Sequence, residues 1–263
     1  MCFFGKSKRF GAKRGGLPPF GAFLSRLLLL GLVAAAPLRA DPPGYGPWAE
    51  LLGRYVTPNG VRYEAWHADA EDRAKLDGVL DSFASVGRSA LDDDTAAAFL
   101  INVYNAAMIQ AVLREYPLSS VREIGSSPFA VFKKEFIGLD GETVSLDEVE
   151  KGILLEEYSD PRLHFAVNCA SVSCPPLRAE PFRGADLDRQ LGQQARLFAN
   201  GPHAARVSAD GDTTAYSKLF EWYADDFPGG DPAVYLNRFR DEPLPVGNGI
   251  EWIDYDWSLN EAP

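Results

Sequence analysis

The order of apolar and polar positions predicts helices joined by short turns and strands. Over residues 68–86, Leu76, Val79, Leu80 and Phe83 recur at three- and four-residue spacing, which places them on one face of a helix. Asp92-Asp93-Asp94-Thr95 then puts carboxylates where a helix N-terminus favours them. From 95 to 116 nearly every position is Ala, Phe, Leu, Ile, Val or Met. A helix apolar all round has to be buried all round, so this one belongs at the centre of the fold, closed by Tyr116-Pro117.

Weaker signals fill in the rest. Residues 48–55 predict a short helix stopped by the turn Thr57-Pro58-Asn59-Gly60, with a short strand at 61–63. Residues 132–144 read as a hairpin around Asp140-Gly141. Ser145 and Glu148 have capping-box spacing for a helix from Leu146 that turns Val149, Ile153 and Leu154 inward. The apolar run 162–167 reads as a buried strand, and 187–200 as a helix stopped by Gly201-Pro202. Val207 and 213–216 flank Asp210-Gly211 as a second hairpin. Residues 218–226 and 232–239 read as short helices, and 250–257 alternates as a closing strand. Without a repeat or a long linker, the expectation is one α+β domain over 48–263, with a central buried helix and a small antiparallel sheet. Residues 41–47 (DPPGYGP) read as a flexible lead-in.

Charge separates the first forty residues from the rest. They carry seven Lys and Arg, no Asp or Glu, and an apolar run from 27 to 38 that ends near the small residue Ala40. That layout predicts a secretory signal peptide over 1–40, with an uncleaved anchor as the other reading. The expected location is periplasmic or secreted. The whole chain has 263 residues and a formal charge of −11; without the leader, 19 basic residues face 37 acidic ones, a charge of −18. So acidic a domain excludes nucleic acid, whose phosphates demand Lys and Arg, and excludes an anionic membrane surface once the leader is removed.

The densest chemistry is His164-Phe-Ala-Val-Asn168-Cys169-Ala-Ser171-Val-Ser173-Cys174. A thiol nucleophile needs a base or a favourable neighbourhood to ionise below its free pKa of about 8.5. His164 and Cys169 are five apart, as are Cys169 and Cys174, and neither strand nor helix brings such a pair into contact. They meet only if the chain turns sharply near Asn168. A Cys169–Cys174 disulfide, a catalytic or redox thiol at Cys169, and inert buried thiols all remain open. A metal site of both Cys with His164 lacks an evident fourth ligand, and no cofactor is expected. Asn102 and Asn105 lie on one side of the apolar helix, where buried amides must be hydrogen-bonded, and are expected to hold a neighbouring loop. Glu150 falls at the edge of a buried stripe, whereas His67 and His203 read as ordinary surface histidines.

These residues resemble the domain-of-unknown-function family numbered 547. The similarity is carried by FLINVYNAAMIQAVL (99–113), VSLDEVEKGIL (144–154), DPRLHFAVNCASVSCPPL (160–177), AYSKLFEWYADDF (215–227) and YDWSLN (255–260). It implies recurring roles for Asn102, Asn105, Glu150, His164, Cys169, Ser173 and Pro175. Plant relatives keep the first Cys but have Ser where Cys174 stands, which favours Cys169 as the nucleophile. The chain departs from the pattern at Lys151, where many members have His, and at Leu155, where Arg is common. The Glu–His–Cys set is also similar to the thiol triads of papain-like and transglutaminase-like enzymes, and so implies a rearranged version of that architecture.

The expectation is therefore an exported thiol-dependent hydrolase or acyltransferase acting on a small peptide, thiol or amide. Cys169 attacks, His164 moves the proton and Glu150 orients the imidazole. Asn102, Asn105, Asn168, Ser171, Ser173 and Cys174 bind or orient, with backbone N–H groups at 171–173 facing the oxyanion. The rival is a non-catalytic ligand-binding or interaction module stapled by a Cys169–Cys174 disulfide.

Overall fold

A computed structural model describes residues 41–263; the expected leader, 1–40, lies outside the described residues. The first half is helical. Helices α1 (Tyr45–Tyr55), α2 (Tyr63–Ala68), α3 (Ala70–Ala84) and α4 (Asp93–Glu115) pack around one large core. The carboxylates of Asp69 and Asp92 accept from the backbone N–H of Asp72 and Thr95, each capping the helix that follows. Every residue of α4 from 96 to 113 is buried. Its length and hydropathy match a membrane span, but that apolar stretch is wholly enclosed by the protein.

The lead-in is shorter than expected. Helix α1 begins at Tyr45, whose ring is 2% exposed and whose hydroxyl accepts from Asn102 Nδ2 at 2.9 Å. A buried aromatic anchor orders what the Pro- and Gly-rich composition made look flexible. The strand expected at 61–63 is confined to β2 (Gly60–Val61), paired with β1 (Val56–Thr57), and Tyr63 already opens α2.

Beyond α4 come the short helix α5 (Ala130–Lys133) and an antiparallel hairpin, β3 (Ile137–Leu139) and β4 (Glu142–Val144). Asp140 and Gly141 at its turn both have positive φ, the requirement of a tight hairpin, so the hairpin covers 137–144 and leaves Phe132 in α5. Ser145 Oγ accepts from Glu148 N–H at 3.1 Å as the cap spacing implied. The turn it starts is a π-helix, Glu148–Leu154, which runs into α6 (Leu155–Glu157). Such widened turns are frequent at functional sites.

The segment 162–167 is not a strand. It is a 3₁₀ turn, Pro161–Phe165, begun by Pro161 and by the Asp160 carboxylate, which accepts from Arg162 N–H at 2.9 Å. Asp-Pro is a helix-start signal, and it outweighs the apolar run. The apolar residues are satisfied on two sides: Phe165 packs with Phe198, Phe220, Phe227 and Tyr235 in a second, smaller cluster, while Ala166 and Val167 join the main core.

The remaining elements are α7 (Leu187–Ala199), β5 (Ala205–Val207), β6 (Thr213–Tyr216), α8 (Leu219–Trp222), α9 (Pro232–Leu236) and β7 (Gly249–Trp252). The helix expected over 218–226 breaks after α8 into a 3₁₀ turn, Ala224–Asp226. Strand β5 is antiparallel to β6, whereas β7 lies parallel to it, with Thr214 beside Ile250. In place of one antiparallel sheet the described residues therefore form three small sheets, one of them mixed. The α8–α9 crossover between β6 and β7 supplies the length a parallel return requires. After Trp252 the chain leaves the sheet. It crosses back over the main core, with Leu259 N–H on Ser119 O at 2.8 Å, Val172 N–H on Ser258 O at 2.9 Å and Val61 N–H on Asn260 O at 2.9 Å.

Candidate functional site

Asn105, in the middle of α4, shapes the loop that carries both cysteines. Its Nδ2 donates to Ala166 O at 3.0 Å and its Oδ1 accepts from Asn168 N–H at 2.8 Å. Asn168 folds the next turn: Oδ1 accepts from Ala170 N–H at 2.9 Å and Nδ2 donates to Pro175 O at 2.8 Å. Ala170 takes a left-handed φ of 59°, a rare conformation for a residue with a Cβ, and Cys174 N–H closes the turn on Ser171 O at 3.1 Å. This is the sharp bend near Asn168 that contact between residues five apart requires.

The bend brings the two sulfurs to 2.8 Å, and both are free thiols. Cys169 N–H also donates to Cys174 Sγ at 2.9 Å. Around Cys169 Sγ lie Ser171 Oγ at 3.0 Å and the Tyr255 hydroxyl at 3.3 Å, the latter delivered by the C-terminal segment. Burial pushes the Cys169 thiol up. Hydrogen bonds from Cys174, Ser171, Tyr255 and the Ser171 backbone outweigh it, and the thiol ends below its ordinary value. Cys174 is driven well above its own by burial and by the hydrogen bond and charge of Cys169.

Cys169, Cys174, His164 and Glu150 line one cleft of about 610 Å³, a volume suited to a small-molecule ligand. Its walls include Trp222, Tyr223, Tyr255 and Trp257, with the rings of Tyr255 and Trp257 4.5 Å apart. His164 is 2% exposed, its ring 4.2 Å from that of Tyr223. Its Nε2 meets Asp226 Oδ2 at 2.8 Å, while no hydrogen bond joins it to Cys169. Burial lowers the His164 pKa, and the Asp226 hydrogen bond and charge only partly offset this, so the imidazole is neutral at neutral pH. A neutral ring that donates Nε2–H to Asp226 keeps Nδ1 as its basic nitrogen.

The partner of His164 is thus Asp226 and not Glu150. Glu150 sits in the π-helix, where Oε1 accepts from the Tyr223 hydroxyl at 3.0 Å and the carboxyl also takes a hydrogen bond from Tyr104. Burial raises its pKa against the opposing effect of Lys151 and the two tyrosines. Nor do the backbone donors at 172 and 173 face the cleft's chemistry: Val172 N–H is taken by Ser258 O and Ser173 N–H by Asp256 O. Ser173 Oγ accepts from Asp256 N–H at 2.9 Å, which fastens the segment that carries Tyr255. Asn102, one turn before Asn105, serves a different part of the core. It accepts from Trp48 Nε1 and Phe182 N–H and donates to Tyr45, Ala98 O and Phe182 O. Among the described residues no group of three or more His, Cys, Asp or Glu is placed to hold a metal ion.

Tyr104, Tyr223, Asp226 and Tyr255 were not among the residues expected to act. All four lie inside the stretches that carry the family resemblance (99–113, 215–227 and 255–260), and that was the signal available for them. No curated protein and no solved structure matches the chain. A family model does match residues 88–199, a span that holds Asn105, Glu150, His164 and both cysteines but ends before Asp226 and Tyr255. That family, which residues 88–199 match, is described as Protein of unknown function, DUF547.

Proposed function

We propose that the protein is an exported thiol-dependent hydrolase or acyltransferase that uses Cys169 on a small peptide, thiol or amide substrate. The observation that carries this reading is the setting of Cys169 Sγ. It is held below its ordinary pKa by donors at 2.8–3.3 Å, and it lines a cleft shared with a carboxylate-held, neutral histidine. In this scheme Cys169 attacks the acyl carbon as its proton passes to His164 Nδ1. Asp226 fixes the ring's tautomer, and the same proton then leaves with the departing amine or thiol. Water or an acceptor nucleophile, deprotonated by His164, cleaves the acyl-thioester and frees Cys169. The Tyr255 hydroxyl and the Ser171 N–H, both donors at Cys169 Sγ, are the groups placed for the oxyanion, since the backbone donors at 172 and 173 are occupied. In architecture the proposal is a rearranged papain-like or transglutaminase-like site with the order His164, Cys169, Asp226.

An activated aryl ester with mass-spectrometric mapping tests the proposal. Stoichiometric acylation at Cys169 is expected, absent from Cys169→Ala. Deacylation should slow by about 10²–10⁴ in His164→Ala, the span of general acid–base catalysis. Alkylation of Cys169 by iodoacetamide should stay within a few-fold in that variant, because neutral donors and not an imidazolium lower its pKa. Acyl groups found elsewhere, or unchanged deacylation without His164, would overturn the assignment.

A further inference from the structure

In the acyl-transfer scheme Cys174 only helps to stabilise the Cys169 thiolate, yet the loop is built to hold its sulfur against Cys169. Its Sγ touches Cys169 Sγ at 2.8 Å and accepts from Cys169 N–H at 2.9 Å. Hydrogen bonds on either side, Asn168 Nδ2 to Pro175 O and Cys174 N–H to Ser171 O, pin it there. The two thiols are unequal in access: Cys174 is 8% exposed and counted in the core, whereas Cys169 is half-buried.

We propose that Cys169 and Cys174 are an attacking and a resolving thiol, which gives this cleft a second activity, thiol–disulfide exchange with an external disulfide. The Cys169 thiolate attacks one sulfur of RS–SR, the S–S bond breaks, and RS⁻ leaves and takes a proton from water. The product is a mixed disulfide, Cys169–S–S–R. Cys174 then loses its proton to water and attacks Cys169 Sγ, and the second RS⁻ departs and is protonated. The substrate gains two electrons as two RSH, and the protein is left with a Cys169–Cys174 disulfide. A dithiol, reacting by the same steps in reverse, returns it to the reduced state.

The electrostatics set the order of events. In the reduced protein burial is the main restraint on Cys174 ionisation, reinforced by the hydrogen bond and charge of Cys169. Capping Cys169 in a mixed disulfide removes both reinforcements and leaves burial opposed by hydrogen bonds from the Cys169 backbone and Tyr255. The resolving thiol therefore becomes easier to ionise once it has something to resolve. The aromatic rings of Trp222, Tyr255 and Trp257 at the cleft favour a disulfide flanked by apolar or aromatic groups.

The probe is the aromatic disulfide dithiodipyridine, mixed with the reduced protein while thiopyridone release and protein mass are followed. Wild type should release two thiopyridones per chain and retain no pyridyl group. Cys174→Ser, with Cys174→Ala as the alternative should the first fold poorly, should release one and keep the pyridyl group on Cys169. Cys169→Ser should lose the fast phase. A wild-type protein that retains the pyridyl group, or a Cys174 variant that sheds it as fast as wild type, overturns the proposal. Aryl-ester acylation of wild type separates the two activities. If wild type acylates Cys169 but fails to resolve the mixed disulfide, only exchange fails. If wild type neither acylates nor exchanges at Cys169, both readings fail together.

Discussion

Replacing Asn105 by Ala should damage the thiol site far more specifically than replacing Asn102, although the two stand one turn apart on the same buried helix. Asn105→Ala removes two buried hydrogen bonds and leaves Ala166 C=O and Asn168 N–H without partners. Each orphaned buried group costs about 1–3 kcal/mol, so the loss is about 2–6 kcal/mol. Better helix propensity returns about 0.5 kcal/mol of it. Against a typical stability of about 5–15 kcal/mol the variant remains folded but weakened, and the bend at Asn168 loses its anchor. Asn102→Ala strips five partners, including both backbone groups of Phe182, and should cost at least as much. It leaves the loop at 166–175 untouched. Urea unfolding gives the stability change, and the second-order rate of iodoacetamide with Cys169 reads the site. Expected are a lower midpoint for both variants and a changed alkylation rate for Asn105→Ala alone. Equal effects on alkylation, or a cost below about 1 kcal/mol for Asn105→Ala, would refute the idea that Asn105 shapes the loop.

The alkylation rate of Cys169 should rise with pH around a midpoint below that of the unfolded chain's thiol, because the folded site favours the thiolate. Tyr255→Phe and Ser171→Ala each remove a donor and should move that midpoint upward; an unmoved midpoint would show that these hydroxyls do not stabilise the thiolate. Gly60→Ala should loosen the C-terminal segment: Gly60 has a φ of +121°, and a Cβ there would run into the carbonyl oxygen of Asn260. The left-handed backbone alone costs about 1–3 kcal/mol, and a Cys169 midpoint that rises along with the loss of stability would show that the segment seats Tyr255. Unfolding and alkylation measured on one preparation check both halves.

Period and caps made the helices legible. The central helix, the capping residues before it and the hairpin at Asp140-Gly141 all follow from local chemistry, and local chemistry is what a single sequence exposes. The errors share a cause. Residues 162–167 read as a strand because apolar residues in succession suit a buried strand, but the Asp160-Pro161 start and burial on two sides decide for a turn. Strand β7 was visible, whereas its parallel pairing depends on where the α8–α9 crossover returns the chain. At the site, the role of Asn105 as a loop anchor was readable from an amide on an apolar helix that must find partners. The partner of His164 was not, because Asp226 is 62 positions away in a segment whose only local signal is a short acidic turn.

The site also explains how a chain with 37 acidic against 26 basic residues can favour a thiolate at all. Carboxylates near a sulfur oppose its ionisation unless their charge is removed, paired or screened, and each of these devices is present. Glu150 is buried and its pKa raised, so its charge is discouraged. Asp147 is paired with Lys151 at 2.7 Å. Asp226 keeps about half its side chain in water, where solvent and salt weaken its field. What then acts on Cys169 at close range is a set of neutral donors on its own loop and on the C-terminal segment. Hydrogen bonds of this kind are short-ranged and persist in salt, unlike a thiolate–imidazolium pair at a water-filled surface. The reactivity of Cys169 is therefore tied to the packing of those two segments and only weakly to the charge of His164. That division leaves the histidine neutral, the state the proposed acyl transfer asks of its base.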